Sequence, residues 1–470
     1  MKRMIRLFGV LFVLAVCSMT GCKNEPLYEA SVGYDVVDGV IILDEPKRSE
    51  GQQSVLELRC EPLDTVRVGF VGLGMRGPGA VERFTYIDGV KINALCDKYE
   101  ERAEACQRYL EAAGMPKARV YSGDEGYKEL CQSEDIDLVY IATPWQLHVA
   151  VAVYAMEHGK HVAIEVPSAN TVEECWQLVD TSERTRRHCM MLENCVYDFF
   201  ELTCLNMAQQ GLFGEILHAE GAYIHNLSDF WDDYHNNWRL DFNQKNRGDV
   251  YATHGFGPVC MALNMHRGNR MNYLVCMDTK SVIGLAKAKE KMGATEFANG
   301  DQTTTLIRTE NGKVIQLHHN IVTPRPYSRD YALVGTQGYA VKYPIQAFRI
   351  GNDVPEGVNP VSLKAHPFMS DEERDALLEQ YKHPIIKEVG EVAKKVGGHG
   401  GMDFIMDYRL VYCLRNGLPL DMDVYDAAEW SAMGELTRIS IENGSKPVKV
   451  PDFTRGNWDK VDGLTFYFAE

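Results

Sequence analysis

The chain has 470 residues, 45% of them hydrophobic and 24% charged, with a net charge of −17. That length calls for two domains, and the acidic excess excludes nucleic acid as a partner, because phosphate binding needs a basic surface. Its 13 cysteines form no Cys-x-x-Cys pair, so no metal site is expected and most of them read as small buried apolar residues.

The N-terminus has the layout of a processing signal. Lys2, Arg3 and Arg6 precede the apolar run "LFGVLFVLAV" (7–16), which is too short to span a membrane. "SMTGC" follows, with Thr20-Gly21 before Cys22, a pattern similar to a bacterial lipoprotein signal; Met19 replaces the usual leucine. Residues 1–22 are therefore read as a signal region, and a lipid on Cys22 as the link to the membrane of an exported protein. Periplasmic and outer-surface display are both open. Residues 23–64 read as a mixed tether with one apolar patch, Val36 to Leu43, suited to a strand.

From 65 to 187 strands alternate with helices: strands at 66–72, 90–97, 136–143 and 161–164, and helices at 102–114, 148–160 and from 171 to about 187. "TVEE" (171–174) has the spacing of a capping box. Such alternation implies a parallel sheet covered on both faces, a Rossmann-type doubly wound domain. Beyond 188 the texture changes. "TTTLIRT" (303–309) and "VIQLHHNI" (314–321) flank the turn "ENG" and predict a hairpin. Helices are expected at 403–417 and 424–444. The fold class is therefore α/β, with a C-terminal α+β domain (188–470) built on a largely antiparallel sheet.

"GLGMRG" (72–77) lies between the first of these strands and its helix. Gly72 suits a tight turn, Gly74 lets backbone approach a pyrophosphate, and Gly77 permits close packing of helix on strand. Met75 and Arg76 belong to the same cofactor loop. Asp97 stands 20 residues past Gly77 (97 − 77 = 20), the place for a carboxylate on an adenosine ribose. NAD is thus expected rather than NADP. "ATPWQLH" (142–148) ends the third strand and brings Thr143, Trp145 and His148 to the nicotinamide side; His148 is equally suited to bonding backbone at a helix start.

The glycine turn with Asp97, "TPWQLH", and the strand ending Glu165-Val166-Pro167 together resemble the Gfo/Idh/MocA sugar oxidoreductases. Members of that family usually carry a lysine where this chain has Val166, and an aspartate where it has Val250, four residues before His254. Those departures, with "EVP", "LEN" (192–194), "YATHGFGPV" (251–259), "TPRPYSR" (323–329) and "GGHGGMDF" (397–404), resemble glycoside hydrolase family 109 over residues 65–445.

The resemblance implies an NAD-dependent α-N-acetylgalactosaminidase acting on a glycan with a terminal N-acetylhexosamine. Its cycle is redox-neutral: oxidation at C3, loss of the C2 proton, elimination, addition of water, and reduction, with retention and with NAD held and recycled. It places Tyr251, His254 and Tyr327 as catalytic residues, which also bind the sugar, joined there by Tyr223 and Arg239. Glu165, with Val166 beside it, faces the cofactor ribose or a sugar hydroxyl, though a carboxylate can also cap a neighbouring helix. Asn194 contacts cofactor or substrate, and His399 sits in a glycine loop able to close over the site. Tyr223 fits a core position as well as a sugar contact, and Arg239 fits a surface ion pair. Two other functions fit the chain: a sugar dehydrogenase that turns NAD over, and a catalytically silent glycan-binding relative. A homodimer through the antiparallel sheet is a further expectation.

Overall fold

The computed structural model describes residues 30–228, 230–231, 238–351 and 368–469. The signal region and Cys22 lie outside these. Residues 30–64 differ from the expected tether. Strands β1 (Tyr34–Val37) and β2 (Val40–Leu43) form an antiparallel hairpin across Asp38-Gly39, both at positive φ. Asp-Gly is the pair that a two-residue hairpin turn favours. Arg48 then reaches the buried carboxylate of Glu183 at 2.9 Å. The segment is therefore packed onto both halves of the molecule.

Six strands follow in one parallel sheet: β3 (Val66–Val71), β4 (Val90–Asp97), β5 (Arg119–Ser122), β6 (Leu138–Ile141), β7 (His161–Ile164) and β8 (Cys189–Met191). Their order is β5-β4-β3-β6-β7-β8. The chain thus leaves β3 towards one edge and β6 towards the other, which opens a crevice at the carboxyl ends of β3 and β6. Central strands buried on both faces read as continuous apolar runs, as "LVYI" of β6 does. The half-exposed "RVYS" of β5 carries no such run, and sequence patterning misses it. The sheet also continues through Met191, four residues past the expected boundary at 187. At the helix Val172–Thr185, Thr171 accepts from the Glu174 N–H at 3.1 Å, but the Glu174 carboxylate accepts from Asn170 N–H. The second half of the expected capping box is shifted by one residue.

The second sheet contains β9 (Ile216–Ile224), β10 (Met271–Asp278), β11 (Thr303–Thr309), β12 (Val314–Asn320), β13 (Ala332–Gly335), β14 (Gly338–Val341), β15 (Ala347–Ile350) and β16 (Val448–Lys449). With the N-terminal hairpin its order is β1-β2-β16-β10-β11-β12-β9-β13-β14-β15. Its pairs are antiparallel except β12 with β9 and β16 with β2. The predicted hairpin is β11 and β12, with Thr303 opposite His319. Helices Thr253–Ala262 and Val424–Glu442 cover one face, on β9 and β10 respectively. The other face alternates outward along β11 through Thr304, Leu306 and Arg308.

The helix Val424–Glu442 also carries a buried ion pair: Glu429 lies 3.1 Å from the His266 ring, each about 1% exposed. Burial pushes the imidazole down, but Glu429 outweighs it and raises His266 to about 9. A raised folded value stabilises fully below the unfolded value of about 6.5 and is lost as pH climbs through about 9. The thermal midpoint should therefore fall between pH 7 and pH 10 in the native protein, and fall less in Glu429→Gln, measured by calorimetry against pH.

Candidate functional site

One cavity of about 890 Å³ runs along the crevice, from the glycine loop to the second sheet. Gly72 enters it at φ +95°, and a Cβ there would stand 2.5 Å from the Ala142 carbonyl group. Only glycine fits, because the loop after β3 presses against the end of β6. The following helix, Gly77–Phe84, opens without a side-chain cap, which leaves the N–H groups of Gly77 and Gly79 for a ligand, Pro78 between them having none. Asp97 ends β4 and accepts from Leu73 N–H at 2.7 Å and Tyr99 N–H at 3.0 Å, which pins the loop to the strand. Gly74, Met75, Arg76, Asp97, Thr143, Trp145, Glu165, Val166 and Asn194 all line the cavity. The glycine cradle, the open helix end and the carboxylate at the neighbouring strand fit a dinucleotide.

His148 lines the same wall but has no free ring nitrogen. The two nitrogens stand 2.8 Å from the Pro167 carbonyl oxygen and 2.9 Å from that of Thr143. Burial pushes its imidazole below the ordinary value. From the cavity wall it holds the ends of β6 and β7 together, the backbone-bonding alternative.

Glu165 finds its cation elsewhere in the chain. Arg76 donates to Glu165 at 3.3 Å and to Asp403 at 3.3 Å. Burial lowers the tendency of Arg76 to keep its proton, but the two carboxylates more than restore it. Asp403 also accepts from Asn194 Nδ2 at 2.5 Å and stands 2.9 Å from His399 Nδ1. Despite burial, His399, Arg76 and Arg83 hold the Asp403 carboxyl far below the usual range. Asn194 begins a short turn after β8, where sequence places it at the strand's end.

Tyr251 lies in the turn before the helix Thr253–Ala262, and His254 lies in its first turn. The Tyr251 hydroxyl lies 3.1 Å from His254 Nε2, and His254 Nδ1 lies 2.8 Å from the Glu193 carboxylate. Gly255 makes this placement possible, since a Cβ there would stand 2.1 Å from Ala222 N on β9. The helix therefore lies directly on the strand that carries Tyr223. Glu193 is fully buried; burial raises its carboxyl, yet His254 pulls it below the usual range, so the carboxylate stays charged. A charged acceptor at Nδ1 fixes the proton there and leaves Nε2 to accept from Tyr251.

Glu193 lies inside "LEN", and nothing in the linear pattern marks it as the partner of a histidine 61 residues away. Glu193→Gln should lower kcat by at least about 100-fold, the lower end of the range for a disabled general acid–base group, since an amide donor at Nδ1 forces the wrong tautomer. Steady-state kinetics checks this, with unchanged NAD content showing that the cofactor site survives.

Aromatic rings shape the wall around this relay. Trp145 stacks on Tyr251 at 5.3 Å and 12°, and Trp238 and Phe242 meet Trp145 edge-on, each at 5.0 Å. The Arg239 guanidinium lies 4.3 Å from the Tyr251 ring centre and 4.9 Å from that of Trp145. Arg239 is only 6% exposed, so it belongs to the cavity wall rather than to the outer surface. Tyr223 bonds His225 at 3.2 Å and packs against Tyr251 at 4.7 Å. Tyr327 is 44% exposed and accepts from Arg329 at 3.2 Å. Burial pushes its hydroxyl up to about 12. Asn194, Tyr223, Arg239, Tyr251, His254, Tyr327 and His399 thus all border the one cavity.

A Rossmann half with a glycine cradle, opening onto tyrosines and a carboxylate-held histidine, defines an NAD-binding oxidoreductase-type protein. Residues 66–193 match the "Oxidoreductase family, NAD-binding Rossmann fold", and 197–460 match "Glycosyl hydrolase 109, C-terminal domain". The chain belongs to glycosyl hydrolase family 109. It is 64% identical to a glycosyl hydrolase family 109 protein of Bacteroides thetaiotaomicron, over 92% of this chain and 93% of the relative. It is 62% identical to one of Porphyromonas gingivalis, with the same shares covered.

In fold it is similar to an NAD-binding oxidoreductase from Klebsiella pneumoniae (TM-score 0.62, 17% identity, 83% of this chain and all of that one). An inositol dehydrogenase homologue complexed with NAD⁺ from Azotobacter vinelandii is similar at TM-score 0.58 and 18% identity, over 84% of this chain and all of that one. NAD is the cofactor.

Proposed function

We propose that the protein releases α-linked N-acetylgalactosamine, or a closely related N-acetylhexosamine, from glycan ends with retention and with no net turnover of NAD. Bound NAD supplies a hydride acceptor and, in the same cycle, the donor. The chain's own residues manage protons and position. Tyr251 and His254 take the proton of the C3 hydroxyl and return it, and Glu193 stabilises the charge that arises on His254. Tyr327 serves at the C2 proton or the leaving oxygen. Tyr223 and Arg239 hold the sugar against the Trp145 wall, and Glu165, held by Arg76, borders the cofactor ribose. The observation that carries the reading is the chemistry of this wall: Val166 offers no lysine, while Tyr251, His254 and Glu193 offer a complete relay. The names of the glycosyl hydrolase relatives support it.

The test is a chromogenic α-GalNAc glycoside incubated with the NAD-loaded protein, following leaving group and NADH absorbance together. Leaving-group release without accumulating NADH is expected. Stoichiometric NADH would replace the reading with that of a dehydrogenase.

The proposal extends to place and assembly. A lipid on Cys22 anchors the protein to the cell envelope, tested by palmitate labelling that Cys22→Ala abolishes. The outward face of the second sheet, where Tyr273, Met277 and Leu306 are exposed, pairs two copies. Leu306→Asp should then turn a dimer into a monomer in light scattering.

A further inference from the structure

We propose that Glu193, Cys195 and His254 form a binding site for one zinc-type divalent ion, and that the ion reversibly arrests the enzyme. A carboxylate oxygen of Glu193, Sγ of Cys195 and a ring nitrogen of His254 all lie within 4.8 Å of one another. Among the described residues this is the one such group of three. Carboxylate, thiolate and imidazole together suit zinc, and three protein ligands leave a fourth position for water. Cys195 and His254 line the cavity, so an ion has a path from solvent.

The relay proposed for the reaction has no use for Cys195. Its thiol is buried, meets Asn194 Oδ1 at 3.5 Å, and lies in the field of the Arg329 guanidinium as well as of the Glu193, Glu201 and Asp198 carboxylates. The sequence shows no metal framework because the donors come from separate elements. Glu193 and Cys195 flank Asn194 at the turn after β8, while His254 belongs to the helix Thr253–Ala262. Only the packing of that helix on the turn brings them together.

Binding has a defined proton balance. The Glu193 carboxylate is already charged. The Cys195 thiol gives its proton to solvent, and an ion at His254 Nδ1 shifts the ring proton to Nε2. That shift disables the relay, because Nε2–H no longer accepts from the Tyr251 hydroxyl. The arrest rests on the reading of Tyr251 and His254 given above; the binding does not.

Cobalt and zinc distinguish the two halves. The NAD-loaded full chain, freed of metal with a chelator, is titrated with Co²⁺ and then with Zn²⁺. One equivalent of Co²⁺ should produce a near-ultraviolet thiolate-to-cobalt band, which Zn²⁺ then removes. Zn²⁺ should lower glycoside turnover at least tenfold, and chelator should restore it. Cys195→Ala should keep its metal-free turnover and its NAD, lose the band, and need at least tenfold more zinc for the same inhibition; Cys195→Ser serves as a second variant should the alanine form lose NAD. A native protein without the band, or a band unchanged in the Cys195 variants, overturns the site. A band without inhibition overturns the arrest alone. If no glycoside is turned over, the band still decides the binding.

Discussion

His254→Ala should lower kcat for α-GalNAc release by about a thousandfold, in the middle of the range for a lost general acid–base group. The reason is geometric. His254 connects the Tyr251 hydroxyl, 3.1 Å from Nε2, to the Glu193 carboxylate, 2.8 Å from Nδ1. In the proposed reaction, removing the ring severs the path by which the sugar hydroxyl proton leaves, and it strands a buried carboxylate. Tyr251→Phe keeps the stack on Trp145 and should cost about 100-fold, because only the hydroxyl is lost. Neither residue belongs to the glycine cradle, so both variants should retain NAD, measured by absorbance after denaturation. Full activity in both would show that the reacting sugar lies elsewhere in the cavity.

Arg329→Met should destabilise the protein by about 3–5 kcal/mol, as expected when one partner of a buried ion pair is removed. Arg329 is 3% exposed and donates to Glu201 at 2.6 Å and to Asp198 at 2.9 Å. Lys342, 2.7 Å from each of these carboxylates, would be left to neutralise both. Burial already pushes the Glu201 carboxyl up even with both cations present. The same guanidinium donates to the Tyr327 hydroxyl, so the surviving folded enzyme should also show a raised KM. A denaturant titration followed by steady-state kinetics separates the two effects. An unchanged midpoint would mean that Lys342 alone satisfies the pair.

The cofactor half was the more legible one. A doubly wound sheet announces itself through buried apolar strands such as β3 and β6, and its glycine turn is local geometry that a short motif can encode. The misses were of another kind. The Asp38-Gly39 turn splits Val36–Leu43 into two strands, a signal present in the sequence that the apolar run concealed. Strand β5 is short and half-exposed, so it carries no pattern to read. His148 lines the cavity wall, but its two carbonyl contacts depend on where Pro167 and Thr143 end up.

The sequence by itself determined the class of fold and the cofactor, because strand periodicity and glycine turns are properties of neighbours in the chain; the tyrosines and the histidine of the cavity wall are what the resemblance to glycoside hydrolase family 109 implies. It also showed that the lysine and aspartate usual in the wider oxidoreductase family are absent at Val166 and Val250. Only the tertiary structure decided what stands in their place. Arg76 crosses the crevice to Glu165, 89 residues away, and Glu193 meets His254 over 61 residues. Charges pair at a few ångströms whatever their separation along the chain, and the packing of Gly255 against β9 sets that distance for the relay.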